Sequence, residues 1–245
     1  MCTASWLRRE SALHLFFNRD ELRSREPAWP PRASESNGVR WIAPADGRAG
    51  GAWIAATEHG LALALLNRSE GSRPAAAVSR GTLIPRLAGT VDPDQLVGRL
   101  ASSPLDELAP FRLLALWRER SHGVVAAWDG RRLDIGEVDS TLGLLCSSGL
   151  GDERATAARG ATWRRFRDTI SPWDPAAHRE FHRDHSPAPS AWSVCVHRPE
   201  ARSVSFTEIE LGPEEALLSY HGAPPCQPGE LHRARLDQRP APELD

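Results

Sequence analysis

Two apolar runs separated by a short polar turn place the strongest constraint on the fold of this chain. Gly50 to Thr57 reads GGAWIAAT, the turn Glu58-His59-Gly60 follows, and Leu61 to Asn67 reads LALALLN. Apolar runs of this length around a glycine-containing turn are typical of a β-hairpin. Because both arms are almost wholly apolar, we expect them to belong to a sheet that is covered on both faces.

The rest of the sequence contains further short strand-like runs and few helical ones. Proline, glycine and serine make 27–51 mostly loop, with 39–43 as its strand, and no internal repeat or coiled-coil heptad is visible. Many hairpins with few helices predict an α+β fold built in layers. The predicted strands cover 12–17, 111–118, 123–128, 141–147, 193–197 and 204–210, and the predicted helices cover 92–101 and 153–167.

The 245 residues suffice for one domain with a sizeable core. We predict a single domain over 1–222. The segment 223–245 is rich in proline and arginine, and we predict a flexible C-terminal tail there.

Composition excludes several classes of function. The net charge is −2 and the basic residues are scattered, so nucleic acid is not an expected partner. All the basic residues are arginine, which excludes Schiff-base chemistry and a phosphate-binding lysine. No stretch approaches the ~18 consecutive apolar residues of a membrane span. The four cysteines form no CxxC pair, so the sequence predicts neither a zinc ribbon nor a redox motif but a reduced, cytoplasmic location.

Cys2 directly follows the initiator Met1. A small side chain at this position favours removal of Met1, which would leave a cysteine with both a thiol and a free α-amine. The pKa of an α-amine is about 7.7–8.0 and that of a free thiol about 8.5, so the two groups exchange a proton near neutral pH. One residue would then supply a nucleophile and its base. The alternative is that Cys2 is an ordinary N-terminal residue.

Three histidines form a second group of interest. His178 and His182 have the i, i+4 spacing of one helix face, and His185 is nearby. This spacing occurs in zinc sites, but Arg179 occupies the position of the glutamate in an HExxH motif. We therefore predict neither a metal ion nor a cofactor.

Four motifs occur in order along the chain: MCT at the N-terminus, FFNRDE ending at Glu21, GGAWIAATEHGLALALLN ending at Asn67, and SRG ending at Gly81. Together they resemble the NRDE family, also called the transport and Golgi organisation 2 family, which is named after the signature Asn-Arg-Asp-Glu. The resemblance extends from Met1 to about Glu210.

The resemblance implies an N-terminal nucleophile hydrolase fold, a four-layer αββα sandwich of two stacked antiparallel sheets between helices. It also implies roles for four residues: Cys2 as nucleophile, Arg19 beside the thiol, Asp20 holding the α-amine and Asn67 donating to the oxyanion. Removing such an oxyanion donor costs roughly 3–4 kcal/mol of transition-state stabilisation.

The sequence departs from the family pattern at two places. Ser147 stands where a second polar amide is expected, and the segment around Ser190 lacks an expected arginine. The leading hypothesis is hydrolysis of a linear amide in a small-molecule substrate. An alternative is binding or trafficking of an apolar ligand such as haem, with Cys2, His14 or His59 as ligand groups, and a third is a structural domain that has lost the chemistry.

Overall fold

The protein is described here by a computed structural model, which covers residues 2–74, 78–170 and 173–241. Strands dominate these residues, as the hairpin pattern predicts. The strands are β1 Cys2–Arg9, β2 Ala12–Leu22, β3 Trp29–Ser36, β4 Val39–Ala45, β5 Ile54–Thr57, β6 Leu61–Asn67, β7 Phe111–Trp117, β8 His122–Trp128, β9 Leu133–Asp139, β10 Leu142–Ser147, β11 Ala201–Leu211, β12 Glu215–His221 and β13 Leu231–Asp237. The α-helices are α1 Leu83–Leu87, α2 Pro93–Ala101, α3 Asp152–Thr169 and α4 Pro175–Arg183.

The strands form two antiparallel sheets. The first has six strands in the order β10-β1-β2-β11-β12-β13, and the second has seven in the order β3-β4-β5-β6-β7-β8-β9. The second sheet is a simple meander, because each strand pairs with the next one along the chain. In the first sheet β1 and β2 lie at the centre, between strands from the C-terminal half of the chain. The pair of strands β1 and β2 is therefore held between β10 and β11, which are distant from it in sequence.

The main core lies between the two sheets. Alternate residues of β1 and β2 point inwards and pack against the apolar face of β5, β6 and β7. The inward residues of the first sheet include Cys2, Ala4, Trp6, Leu13, Leu15 and Phe17, and those of the second sheet include Ile54, Ala62, Ala64, Leu66, Leu114 and Leu116.

Helices cover both outer faces. Residues of α1 and α2 pack on the outer face of the seven-stranded sheet. On the other side, Trp163 of α3 and Phe181 of α4 pack against β10. The predicted four-layer α+β sandwich is therefore confirmed. Among the described residues, no helix is long and apolar enough to cross a membrane.

Several predicted elements differ from the structure. The predicted strand 12–17 extends to Leu22, so the signature Asn18 to Glu21, predicted to lie at the strand end, forms the last part of β2. The predicted loop of 27–51 contains β3, a strand that carries Pro30 and Pro31. Proline is tolerated there because β3 is an edge strand, with one side free of sheet hydrogen bonds. The predicted strand 193–197 is reduced to a single bridge between His197 and Arg202.

The C-terminal segment also differs from its prediction. Residues 231–237, predicted to be flexible, form β13 and pair along β12. Leu236 is 5% exposed and packs in the core between the sheets. The polar residues of β13, which led to the prediction of a flexible tail, lie at alternate positions of an edge strand. These positions face solvent.

Candidate active site

Cys2 lies between two strands of the first sheet. It is opposite Arg19 of β2 on one side and opposite Ser147 of β10 on the other. Directly opposed residues of an antiparallel pair share one face of the sheet. The nitrogen of Cys2 donates a hydrogen bond to Ser147 Oγ at 3.1 Å. Ser147, which departs from the family pattern, thus positions the nitrogen of the proposed nucleophile.

A cavity of about 520 Å³ opens at this end of the sandwich. Cys2 and Arg19 line it from the first sheet, and Asn67 lines it from the end of β6 in the second sheet. Three of the four residues selected from the sequence therefore share one cavity, although they come from different sheets.

Arg19 is held in this cavity from two sides. Its guanidinium forms an ion pair with Asp46 and lies 4.1 Å from the ring centroid of Trp53. Asp46 is itself fixed by Arg25, at 2.8 Å, and by the backbone N–H of Ala49, at 2.7 Å. Arginine stacks well on aromatic rings and pairs well with carboxylates, so this position suits arginine. The result is a positive charge held at the cavity that contains the thiol.

The glycine motifs explain how the cavity wall is built. The backbone of Gly51 lies against that of Gly81, and a Cβ on Gly51 would come 2.8 Å from Gly81 Cα. The N–H of Ala52 donates to the carbonyl of Gly81 at 3.2 Å. Only glycine permits so close an approach of two backbones. The contact places Trp53 and Arg80 in the same cavity lining.

The carboxylate of Asp20 contacts a hydroxyl group and a guanidinium group. Its Oδ1 accepts a hydrogen bond from Ser203 Oγ at 2.6 Å, and its Oδ2 lies 3.3 Å from Arg159 Nη2. The side chains of Asp20 and Arg159 are fully buried. Burial raises the pKa of Asp20, and the charge of Arg159 opposes this. The predicted contact of Asp20 with an α-amine stays a prediction.

Arg159 is a residue that the sequence analysis missed. From α3 it donates to the carbonyl oxygens of Cys2, at 3.0 Å, and Ser193, also at 3.0 Å, and to Thr3 Oγ1 at 2.8 Å. It therefore fixes the backbone of β1 at the proposed nucleophile. The available sequence signal is its spacing of four residues from both Ala155 and Trp163, on the buried face of α3. The other arginines of the helix are exposed and are Arg154, Arg164, Arg165 and Arg167.

The Cys2 thiol is less accessible than the sequence suggested. We predict that it is the most reactive of the four thiols because it would combine exposure, an α-amine and a nearby Arg19, but Cys2 is 6% exposed, whereas Cys226 is half-buried. Burial raises the pKa of Cys2, the nearby Asp20 carboxylate raises it further, and the backbone N–H of Asp20 lowers it. The thiol therefore needs a base to react at neutral pH. Met1, whose removal we predict, lies outside the described residues.

His178 and His182 serve packing rather than a metal face. Ser5 Oγ lies 2.9 Å from His178 Nδ1 and 2.8 Å from His182 Nε2, so one hydroxyl bridges the two rings. Both histidines are fully buried. Burial lowers the pKa of His178 to about 3 and that of His182 well below its ordinary value. Both rings are therefore neutral at physiological pH.

Solved structures with the same architecture define the class of fold. An N-acylethanolamine-hydrolyzing acid amidase orthologue from Caenorhabditis elegans matches with a TM-score of 0.56 at 12% identity, over 85% of this chain and 92% of the other. Penicillin V acylase from Agrobacterium tumefaciens matches with a TM-score of 0.55 at 12% identity, over 95% and 85%. The C2A mutant of conjugated bile acid hydrolase from Clostridium perfringens matches with a TM-score of 0.56 at 10% identity, over 100% and 99%.

At these identities the likeness shows the fold alone, which is that of the N-terminal nucleophile hydrolases. No curated protein sequence matches the chain significantly. The family model of Transport and Golgi organisation 2 matches residues 1–168. The chain therefore belongs to the Transport and Golgi organisation 2 family, as the four sequence motifs indicated.

Proposed function

We propose that this protein is an N-terminal cysteine hydrolase that cleaves a linear amide through Cys2. The observation that carries the proposal is the shared cavity, which is lined by the buried Cys2, by Arg19 with its fixed cation and by Asn67 with its side-chain amide. The three similar structures bear the names of an amidase, an acylase and a hydrolase, which supports amide chemistry on this fold.

In the proposed reaction, removal of Met1 frees the α-amine of Cys2. The amine takes the thiol proton, and the sulfur attacks the substrate carbonyl carbon to form a tetrahedral oxyanion, to which Asn67 donates. The C–N bond then breaks, and the leaving amine takes the proton from the ammonium group. Water attacks the resulting thioester, releases the carboxylic acid and restores the thiol.

The charge of the cavity indicates the kind of substrate. Five arginines line it against two acidic side chains, Glu21 and Asp46. Such a lining favours a substrate with an anionic group, because guanidinium groups bind carboxylates and phosphates through paired hydrogen bonds. The arginines are Arg19, Arg25, Arg48, Arg73 and Arg80.

The charged lining also bears on the alternative of an apolar ligand. It disfavours a wholly apolar molecule, but haem carries two propionate carboxylates that guanidinium groups also bind, so haem binding stays a prediction from the family resemblance. The cytoplasmic location likewise stays a proposal, based on the cysteine content of the sequence.

Turnover of a panel of N-acyl amides with acidic groups tests the proposal. The wild type should release amine from at least one member, and the Cys2→Ala variant should release none while keeping its circular dichroism spectrum. Turnover that survives in Cys2→Ala would rule out the nucleophile. If no amide is cleaved and haemin binds saturably to the wild type, the binding alternative replaces the hydrolase proposal.

Asn67→Ala supplies a second prediction. Loss of a side-chain oxyanion donor should lower kcat by roughly 10²- to 10³-fold with a smaller change in KM. Gln227→Ala removes an exposed amide outside the cavity and should leave kcat unchanged. Equal kcat values for the two variants would show that Asn67 is not the donor.

A further inference from the structure

A second group of reactive side chains lies outside the proposed active site. It consists of His185, Cys195, His197 and Cys226, and one donor atom from each lies within 4.8 Å of all the others. They come from three separate segments: the chain after α4, the chain before β11, and the loop between β12 and β13. We propose that these four residues bind a structural zinc ion.

The distances between the donor atoms fit this ion. Cys195 Sγ and Cys226 Sγ are 3.5 Å apart, and His197 Nε2 lies 3.4 Å from the first sulfur and 3.3 Å from the second. A tetrahedral ion with Zn–S of about 2.3 Å and Zn–N of about 2.0–2.1 Å holds two sulfurs about 3.8 Å apart and a sulfur and a nitrogen about 3.5 Å apart. The three distances among Cys195 Sγ, Cys226 Sγ and His197 Nε2 are therefore close to those that zinc requires.

His185 completes the set. Its ring centroid lies 5.1 Å from that of His197, with the planes inclined at 60°. Two thiolates with two imidazoles form the Cys₂His₂ donor set of structural zinc sites, and the soft thiolates disfavour magnesium and calcium. A disulfide between Cys195 and Cys226 would account for two of these residues, whereas zinc accounts for all four.

The position of the cluster gives the ion a structural role. The carbonyl of Ser193 accepts a hydrogen bond from Arg159, and the carbonyl of Val194 accepts one from Asn18. Cys195 follows directly, and its N–H donates to the carbonyl of Asp184 at 3.0 Å. Zinc would thus fasten the segment on which Arg159 and the Asn-Arg-Asp-Glu signature depend.

The sequence predicts no metal here, because the four ligands lack paired-cysteine spacing. One residue separates Cys195 from His197. His185 precedes them by ten residues or more, and Cys226 follows β12. Only the fold brings the distant ligands together, and it also separates His185 from the two histidines that bind Ser5.

Metal analysis of the full-length protein, expressed in medium with zinc, tests the proposal. The wild type should contain about one zinc ion per chain, and Cys226→Ser and His197→Asn should lose most of it. Cys2→Ala is the control, which should keep its zinc, so a failure of the zinc site is distinguishable from a failure of the proposed catalysis.

Cobalt provides a readout that does not depend on how the variants fold. Wild-type protein stripped with a chelator and reloaded with Co²⁺ should show the visible bands of tetrahedral cobalt and thiolate charge-transfer absorption. Three results would overturn the proposal: wild-type protein without stoichiometric zinc after incubation with the metal, variants that retain it, or a Cys195–Cys226 disulfide found by mass spectrometry.

Discussion

At the scale of single residues, Asp20 and Arg159 form a fully buried ion pair beneath the proposed nucleophile. Removing one partner of such a pair leaves a buried charge without compensation, which is far more costly than losing an exposed pair. Because Arg159 also binds the carbonyl of Cys2, the stability of the pair and the position of the nucleophile are linked.

Asp20→Asn should therefore lower the free energy of unfolding by about 3–5 kcal/mol. Urea denaturation measures this, with Asp106→Asn as an exposed control that should change little. In the double variant Asp20→Asn/Arg159→Met the loss should be smaller than the sum of the two single losses. Additive losses would show that the two side chains do not interact.

At the scale of elements, α4 is attached to β1 through the hydroxyl of Ser5 and the two buried histidines. Their neutral state makes this attachment dependent on pH. The ordinary pKa of histidine, about 6.5, applies in the unfolded chain, whereas burial lowers the pKa of His178 to about 3 in the folded protein. Below pH 6.5 the unfolded chain binds protons that the folded protein does not.

The stabilisation from His178 is therefore complete above pH 6.5 and declines as the pH falls towards 3. His178→Gln should reduce this decline by at most about 1.4 kcal/mol per pH unit. The measurement is the free energy of unfolding of both proteins between pH 7 and about 4. His122→Gln, at an exposed site, should behave like the wild type; parallel curves for all three would contradict the prediction.

The strand β13 gives another prediction at this scale, since it replaces the expected flexible tail. Leu236 is 5% exposed and Leu231 is 50% exposed in the same strand. Leu236→Ala should destabilise the protein by about 2–5 kcal/mol, whereas Leu231→Ala should stay within about 0.5 kcal/mol. If both variants change the free energy of unfolding, measured by thermal unfolding, by the same small amount, β13 is not packed against the core.

The strands and helices show which elements can be predicted from the sequence and why the prediction is wrong for others. The hairpin of β5 and β6 and the helix α2, with its Asp92 cap, carry local signals and are confirmed. β3 carries two prolines and β13 carries two arginines, and because edge strands tolerate such residues both patterns resemble loops. Each of them pairs with an adjacent strand of the chain, β3 with β4 and β13 with β12, so it is their polar pattern that hides them in the sequence.

At the scale of the whole molecule, the site is a product of the stacking of the sheets. Cys2 and Arg19 lie on one sheet and Asn67 on the other, and the sandwich brings them to one cavity. The sequence motifs indicate these three residues. The roles of Arg159 and Ser203 could not be predicted, because they depend on which helix covers β1 and on which strand pairs with β2.

The central claim is that Cys2, freed from Met1, is acylated by the substrate. The most direct test starts from the wild type during turnover of an amide that it cleaves. The reaction is quenched rapidly, the protein is digested with a protease, and the peptides are measured by mass spectrometry. We expect an N-terminal peptide that begins at Cys2 and carries the acyl group, on sulfur or, after migration in the unfolded peptide, on the amine. A peptide that still begins at Met1, or amide turnover with the acyl group on another residue, would contradict it.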